Sequence, residues 1–303
     1  ILEYIIIVNN KRTVFQFEIT GDVLDPEIIE YLNKNAPKGL FRFEIGIQSI
    51  NYETNYLVDR FQNTEKLFDN IKAIQEGGII DLHLDLIAGL PSEDLHSFIN
   101  TFDEVFRLGC KELQLGFLKM LRGTKIRLEA AKYNYVFHEE APYEIIRNNV
   151  LSESDIKEIH MVEHMLEIHH NKGYFGDNML NIILKYKSPY YFFKEMGLLY
   201  QKMNYSLNGY QLDEIYQRVF DYLKNDYQIF TLKQDYLMRS KVKPKIFFKN
   251  DITKAERNAI CKDASDKHDI PLHKVFKHSV LIRHNDYYFM TYYENNTCKT
   301  FKI

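Results

Sequence analysis

A chain of 303 residues, 45% hydrophobic and 27% charged, has the composition of an ordinary soluble globular protein with room for one large domain or two. Its formal charge of −3 sets up no strong field toward nucleic acid or an anionic membrane, so neither is expected as a partner. No apolar run nears the roughly 20 residues that span a bilayer, and no signal-peptide pattern is present.

The chain opens Ile1-Leu2-Glu3-Tyr4 with no initiator Met, as expected of part of a longer protein. The first third alternates strand and helix. A strand over residues 13–20 leads to Asp25-Pro26, which opens a helix reaching about Lys34, with Pro26 suited to the first turn. After a strand near 42–48, Thr64 is the expected cap of a helix whose apolar face is Leu67, Phe68, Ile71 and Ile74, ended by Gly77-Gly78. A strand near 82–86 is followed by Pro91-Ser92-Glu93-Asp94, which starts a third helix with acidic residues set against its dipole. A fourth strand covers 112–117. Such alternation predicts a parallel sheet with crossover helices. Helical patterns dominate from 125 to about 240, and short strands follow from 279, around an Asn295-Asn296 turn. The spacing therefore predicts an α/β chain in three parts: a partial βα barrel over 1–124, a helical domain over 125–240 and a small α+β tail over 241–303.

The four strands share one unusual feature. Phe15-Gln16-Phe17-Glu18-Ile19-Thr20, Arg42-Phe43-Glu44-Ile45-Gly46-Ile47-Gln48, Leu82-His83-Leu84-Asp85-Leu86 and Glu112-Leu113-Gln114-Leu115-Gly116-Phe117 are apolar on one face and polar on the other. Strands in a βα array are normally covered on both faces and read as continuous apolar runs. A polar stripe repeated on four of them implies a wet, functional lumen.

Reactive and ligand-binding groups of βα barrels sit at the carboxyl ends of strands. Glu18 and Thr20 end the first strand, Gln48 the second, and Asp85 lies on the third before the tight exit Gly89-Leu90-Pro91. Asp85 and Gln48 can accept from hydroxyls, Glu18 can pair with an ammonium, and Arg60 can bind a carboxylate bidentately. The purely structural alternative pairs Glu18 with Arg42, makes Gln48 a backbone cap and makes Asp85 a helix cap.

These residues resemble the radical S-adenosylmethionine (radical SAM) superfamily. Phe17-Glu18-Ile19, Ile45-Gly46-Ile47-Gln48-Ser49, Arg60 and Asp85-Leu86-Ile87-Ala88-Gly89-Leu90-Pro91 are similar to the later strands of its partial TIM-type barrel. The likeness is to the oxygen-independent coproporphyrinogen oxidase branch and to cobalamin-binding members. The resemblance implies that Glu18 binds the methionyl amino group of S-adenosylmethionine and Arg60 its carboxylate. Gln48 and Asp85 would hold the ribose hydroxyls, and backbone near Gly116 would approach the adenine. It further implies a 4Fe–4S cluster, a possible cobalamin, and hydrogen abstraction from an unknown small-molecule or peptide substrate.

One departure is plain. Cluster irons need thiolates, held in this family by a CxxxCxxC loop, and Cys110, Cys261 and Cys298 stand 151 and 37 residues apart. Three separate free thiols suit the reducing cytoplasm. The cluster ligands, and any cobalamin domain, are expected in an upstream segment of the same protein, leaving this fragment inactive alone. The alternative is a non-catalytic module that keeps the barrel shape for binding.

A zinc-hydrolase reading rests on His160-Met161-Val162-Glu163-His164, an H-x-x-E-H match. On a helical wheel, however, His160, Glu163 and His164 share a polar face that reads as solvated. Cys110 reads as a buried thiol at a helix-to-strand junction. Lys119 and Arg122 suit either an anionic substrate or a solvated turn.

Overall fold

Four parallel strands lie side by side in sequence order: β1 (Phe15–Ile19), β2 (Phe41–Gln48), β3 (Asp81–Ala88) and β4 (Glu112–Phe117). The computed structural model describes residues 1–284 and 287–303 of the chain. Register follows from the period-two pattern. Ile45 pairs with Ile19 and Leu84, and Leu84 with Leu113, so the apolar residues fall on one face. Phe41, Phe43, Ile45, Ile47, Leu82, Leu84 and Leu113 are buried there. The α/β class and the partial-barrel architecture are those read from the sequence.

The helices around this sheet are α1 (Leu2–Val8), α2 (Pro26–Asn35), α3 (Tyr52–Leu57), α4 (Thr64–Gly77) and α5 (Leu95–Phe106). Four begin on a side-chain cap: Asp25, Asn51, Asn63 and Asp94 accept from the N–H of Glu27, Thr54, Lys66 and Ser97. Each such cap stabilises by about 1 kcal/mol. The cap of α4 is Asn63 and not Thr64, because the Asn63 amide oxygen already reaches Lys66 N at 3.0 Å. Gly78 ends α4 in the left-handed region, φ 60°.

Beyond β4 the chain forms α6 (Lys125–Leu128), a 3₁₀ turn at Ala130–Tyr133 and a short hairpin of β5 (Val136–Phe137) and β6 (Ile145–Arg147). It continues into α7 (Glu153–Leu166), which ends as a π-helical turn at Glu167–Asn171. This segment covers the outer edge of β4. Lys119 bridges to Glu144, and the Asn171 amide accepts from Leu113 N and donates to Leu113 O at 3.1 and 2.9 Å. Pairing an edge in this way removes a site for aggregation.

Two compact units result: Ile1–Lys172 with Ser188–Gly197, and Gly173–Lys187 with Leu198–Ile303. Their limits are not those expected at 124 and 240. Residues 118–171 are stitched to β4, which draws α7 into the first unit. The tail joins the helices before it for a similar reason. The second unit contains α8 (Asp177–Leu184), α10 (Leu212–Tyr222), α11 (Asp226–Arg239), α12 (Lys254–His268) and α13 (Leu272–His278). It ends in an antiparallel sheet of β7 (Ser279–His284), β8 (Tyr287–Glu294) and β9 (Thr297–Lys302). Within it the Tyr293 hydroxyl donates to the Leu237 carbonyl at 2.9 Å, tying β8 to α11. Helix α9 (Pro189–Met203) contributes residues to both units. No helix among the described residues is long and apolar enough to cross a membrane.

Gly89 shapes the exit from β3. Its φ is +94°, and a Cβ there would run into the Ile145 side chain. Gly89→Ala combines left-handed strain with overpacking, for an expected loss of about 3 kcal/mol. A urea midpoint that falls accordingly at constant m-value is the expected readout.

Candidate active site on the open face of the sheet

The register places the polar side chains in rows across the sheet. One row is Glu18, Glu44, His83 and Glu112; the next is Gly46, Asp85 and Gln114. Arg42 stands one row earlier, between Gln16 and Asp81. Five carboxylates, Glu18, Glu44, Asp81, Asp85 and Glu112, thus share a face with the Arg42 guanidinium. Burial pushes the Asp85 carboxyl up to about 7, with the negative charges of Glu44, Glu112 and Glu18 adding to the effect. His83 meets Glu112, Nδ1 to Oε2, at 3.2 Å. Burial still pulls the imidazole pKa down, against the raising influence of Glu112, which keeps the ring neutral near pH 7.

At the strand ends the backbone itself is unusual. Gln48 has φ +67°, and the β2–β3 register shifts between Gly46 and Gln48. A non-glycine residue in this region costs about 1–3 kcal/mol and persists only where its surroundings hold it. The hold is the next residue. Ser49 is fully buried and donates to Glu93 Oε1 at 2.6 Å, while Thr101 donates to the same oxygen at 2.8 Å. Asn55 and Gln62 donate to the Ser49 carbonyl at 2.7 and 3.0 Å, and Thr54 donates to the Pro91 carbonyl at 3.0 Å. The exits of β2 and β3 are thereby locked together.

Glu93 is the residue that sequence reasoning misplaced. It does not face the helix dipole; Asp94 caps α5, and Glu93 is buried between Ser49 and Thr101. Burial pushes its carboxyl up to about 7, although both hydroxyl hydrogen bonds work the other way. The available signal was the Pro-Ser-Glu-Asp string itself, in which one of two adjacent acids is surplus to the cap.

Arg60 lies over the end of β2. It donates to the Gly46 carbonyl and through Nε to Gln62 Oε1 at 2.9 Å. Burial lowers its pKa, with Asp22 opposing. Arg60 and Gln48 line a cleft of about 310 Å³ together with Ile87, Leu90, Leu118 and Lys125. The apolar members of this wall were not singled out from sequence, since they alternate like any core strand. Gly116 pairs across the sheet with Ile87, and a Cβ there would find only the Leu86 carbonyl, at 3.5 Å, so the surface beside it is open.

Glu18, Gln48, Arg60, Asp85 and Gly116 therefore belong to one open face. Asp85 lies a row inward from the cleft, beside the Gly46 whose carbonyl anchors Arg60. The structural alternatives are not realised. No ion pair joins Glu18 to Arg42 among the described residues, Asp85 caps no helix, and Gln62 rather than Gln48 caps the backbone of residues 47 and 49. Instead Gln48 Oε1, Asp85 Oδ1, Arg42 Nε and His83 Nε2 are buried without a hydrogen-bond partner. Buried polar atoms normally find one, so their coincidence on one face points to a ligand.

The other motifs have ordinary structural roles. His160 stacks on Phe117 with ring centroids 3.6 Å apart and meets Glu144 through Nε2 at 2.9 Å; His164 Nδ1 faces the His160 carbonyl at 2.7 Å. Among the described residues no group of three or more His, Cys, Asp and Glu could hold a metal ion. Cys110 is buried, with its thiol pushed up to about 12 by desolvation. Lys119 bridges to Glu144, and Arg122 lies over the Tyr143 ring.

The profile of the family described as "Protein of unknown function (DUF4080)" matches residues 131–300, and that of the radical SAM superfamily matches residues 1–105. The oxygen-independent coproporphyrinogen III oxidase of Escherichia coli K12 is 32% identical over 109 residues, 34% of this chain and 24% of that protein. The enzyme of the same name from Helicobacter pylori (strain ATCC 700392 / 26695) is 24% identical over 161 residues, 48% of this chain and 35% of that protein. Among solved structures, coproporphyrinogen III oxidase (HemN) from Escherichia coli, described as a radical SAM enzyme, matches with 27% identity and a TM-score of 0.33. That match covers 37% of this chain and 25% of the other. The chain spans about a quarter to a third of the length of these curated relatives. With one profile covering more than half of its residues and the other its βα sheet, the chain belongs to the DUF4080 family and to the coproporphyrinogen-oxidase-like part of the radical SAM superfamily.

Proposed function

We propose that the open face of the βα sheet is the S-adenosylmethionine-binding part of a radical SAM oxidoreductase. The observation that carries this reading is the pair of buried acceptors, Gln48 Oε1 and Asp85 Oδ1, left without donors on adjacent strands. A ribose offers two hydroxyl donors of the matching kind. Arg60 spends two N–H groups on Gly46 and Gln62 and keeps others of its five for the methionyl carboxylate. Glu18 takes the ammonium. Ile87 and Leu118 provide apolar surface for the adenine, with the open backbone at Gly116 alongside.

A bound S-adenosylmethionine, given one electron by a 4Fe–4S cluster, would release methionine and leave a 5′-deoxyadenosyl radical to take a hydrogen atom from substrate. The chain's residues bind and orient that ligand. They do not fit the 4Fe–4S cluster: Cys110 is buried with its thiol held protonated, and the three cysteines are far apart in sequence. We assign the cluster ligands, and any cobalamin, to residues outside 1–303, and place the protein in the reducing cytoplasm. The separated cysteines also favour a second reading, a binding module that keeps the cradle without cleavage.

The full-length protein decides between them. After anaerobic iron–sulfide reconstitution and reduction, release of 5′-deoxyadenosine from S-adenosylmethionine is the expected result. A loaded cluster with no product, or no cluster at all, would overturn the oxidoreductase reading and leave the binding module.

A further inference from the structure

The formal charge of −3 conceals an uneven distribution. Residues 241–303 hold 13 of the 39 Lys and Arg but 7 of the 42 Asp and Glu, so this tail carries +6 and the remainder of the chain −9. Such asymmetry marks an electrostatic footprint for a polyanion.

The tail has a core of its own within the second unit, where Ile260, Cys261, Ala264, Val275, Leu281 and Met290 pack together. Helices α12 and α13 are joined by the three residues Asp269–Pro271 and run on into the β7–β8–β9 meander. Two helices on a short turn are the supersecondary order of helix-turn-helix modules.

Its cations converge. Lys241 and Lys243 line a cleft of about 370 Å³ with Lys274 and His278 of α13. Lys243 also lines a second cleft, of about 320 Å³, with Arg257 and Asn250. Lys243 donates to the Lys277 carbonyl and Arg257 to the Phe276 carbonyl, both at 3.0 Å, so both cations are anchored at the carboxyl end of α13. Glu294 is the only carboxylate among the described lining residues, and Lys274 meets it at 3.3 Å. Lys241 and Lys277 are exposed and have no ion-pair partner among the described residues.

We propose that this face of residues 241–303 binds the phosphate backbone of a nucleic acid. Lysine is depleted at protein–protein interfaces, whereas Lys, Arg, Asn, Ser and Tyr are the side chains that hold phosphate and sugar. Asn250, exposed beside Lys243 and Arg257, gives one amide N–H to the Leu281 carbonyl and keeps the other as a neutral donor beside the cations. A membrane surface would instead call for an apolar helix face beside the charge, and these clefts are concave. The proposal rests on the second unit alone and stands whether or not the sheet binds S-adenosylmethionine.

Fluorescence anisotropy with the intact chain tests it, using a labelled RNA hairpin and a labelled 20-base-pair DNA duplex. With Lys241, Lys243, Arg257, Lys274 and Lys277 each neutralising a phosphate, duplex affinity should fall about 500-fold between 50 and 200 mM salt. Lys241→Ala/Lys274→Ala/Lys277→Ala should flatten the log–log salt slope by about 3. Lys11→Ala/Lys38→Ala/Lys72→Ala, which removes equal charge from exposed positions of the first unit, should leave the slope unchanged. The corresponding triple Lys→Arg variant of the tail should also keep it, separating charge from loss of fold. Binding to either probe with this pattern supports the proposal, and the preferred probe identifies the sugar. Absence of binding to both at 50 mM salt, equal effects of the two alanine triples, or binding only to phosphatidylserine vesicles or polyglutamate would overturn it.

Discussion

Asp85→Ala weakens S-adenosylmethionine binding by about 10- to 100-fold, the loss expected when a charged acceptor of hydroxyl hydrogen bonds is removed at about 1.5–3 kcal/mol. The pH dependence is the sharper test. In the free chain the Asp85 carboxyl titrates at about 7, because burial and the neighbouring Glu44, Glu112 and Glu18 all favour its protonated form. The ionised carboxylate accepts hydroxyl hydrogen bonds roughly twice as strongly as the neutral acid does. Affinity should therefore climb as pH rises from 6 toward 8 and level off above 8. Asp85→Asn never ionises, so its affinity should be low and independent of pH. Equilibrium dialysis at pH 6, 7 and 8 measures both. An Asn variant that kept the slope would assign the titration elsewhere, and an Ala variant of unchanged affinity would remove Asp85 from the site.

A second large effect falls on stability. Glu93→Ala leaves the buried hydroxyls of Ser49 and Thr101 without their acceptor and opens a void, an expected loss of about 4 kcal/mol at pH 5. Glu93 has its folded pKa raised to about 7 from the ordinary 4.5. Folding therefore takes up a proton between these values. The stabilisation is complete below about pH 4.5 and is lost as pH rises through 7, by about 3 kcal/mol in all. The gap between wild type and Glu93→Ala should narrow to about 1 kcal/mol at pH 8. Glu93→Gln keeps an uncharged oxygen acceptor for both hydroxyls and should show no such decline. Urea unfolding of the three proteins at pH 5, 6.5 and 8 gives the comparison. Parallel pH profiles for the wild type and the Glu93→Gln variant would mean that another group carries the proton.

Legibility in the sequence differed by element for physical reasons. The four strands showed because a parallel sheet with one wet face alternates at period two, so Phe43-Glu44-Ile45 or Leu84-Asp85-Leu86 declares both faces at once. The longer helices showed through Asp25 and Asp94, since caps are local chemistry; even the misassigned cap of α4 moved by one residue, from Thr64 to Asn63, while the six-residue α3 and its cap Asn51 went unread. The hairpin β5–β6 escaped because strands of two and three residues have no period to read. Of the site, residue types and strand-end positions were readable, and they fall on the expected face. The strain at Gln48 was not readable, because nothing in a Gln announces φ +67°; it is imposed from Ser49 and Glu93, the latter 44 residues beyond Ser49. His160 misled for the same reason. Its partner Glu144 lies 16 residues away in a hairpin that no local pattern foretold.

The central claim is one of place: the ligand lies on the polar face of the βα sheet. Backbone amide shifts of the isotope-labelled chain, followed through a titration with S-adenosylmethionine, test it most directly. The largest perturbations are predicted at Glu18, Gly46, Gln48, Arg60, Asp85 and Gly116, with residues 198–303 unmoved. Perturbations confined to the second unit, or none at saturating ligand, would contradict the account.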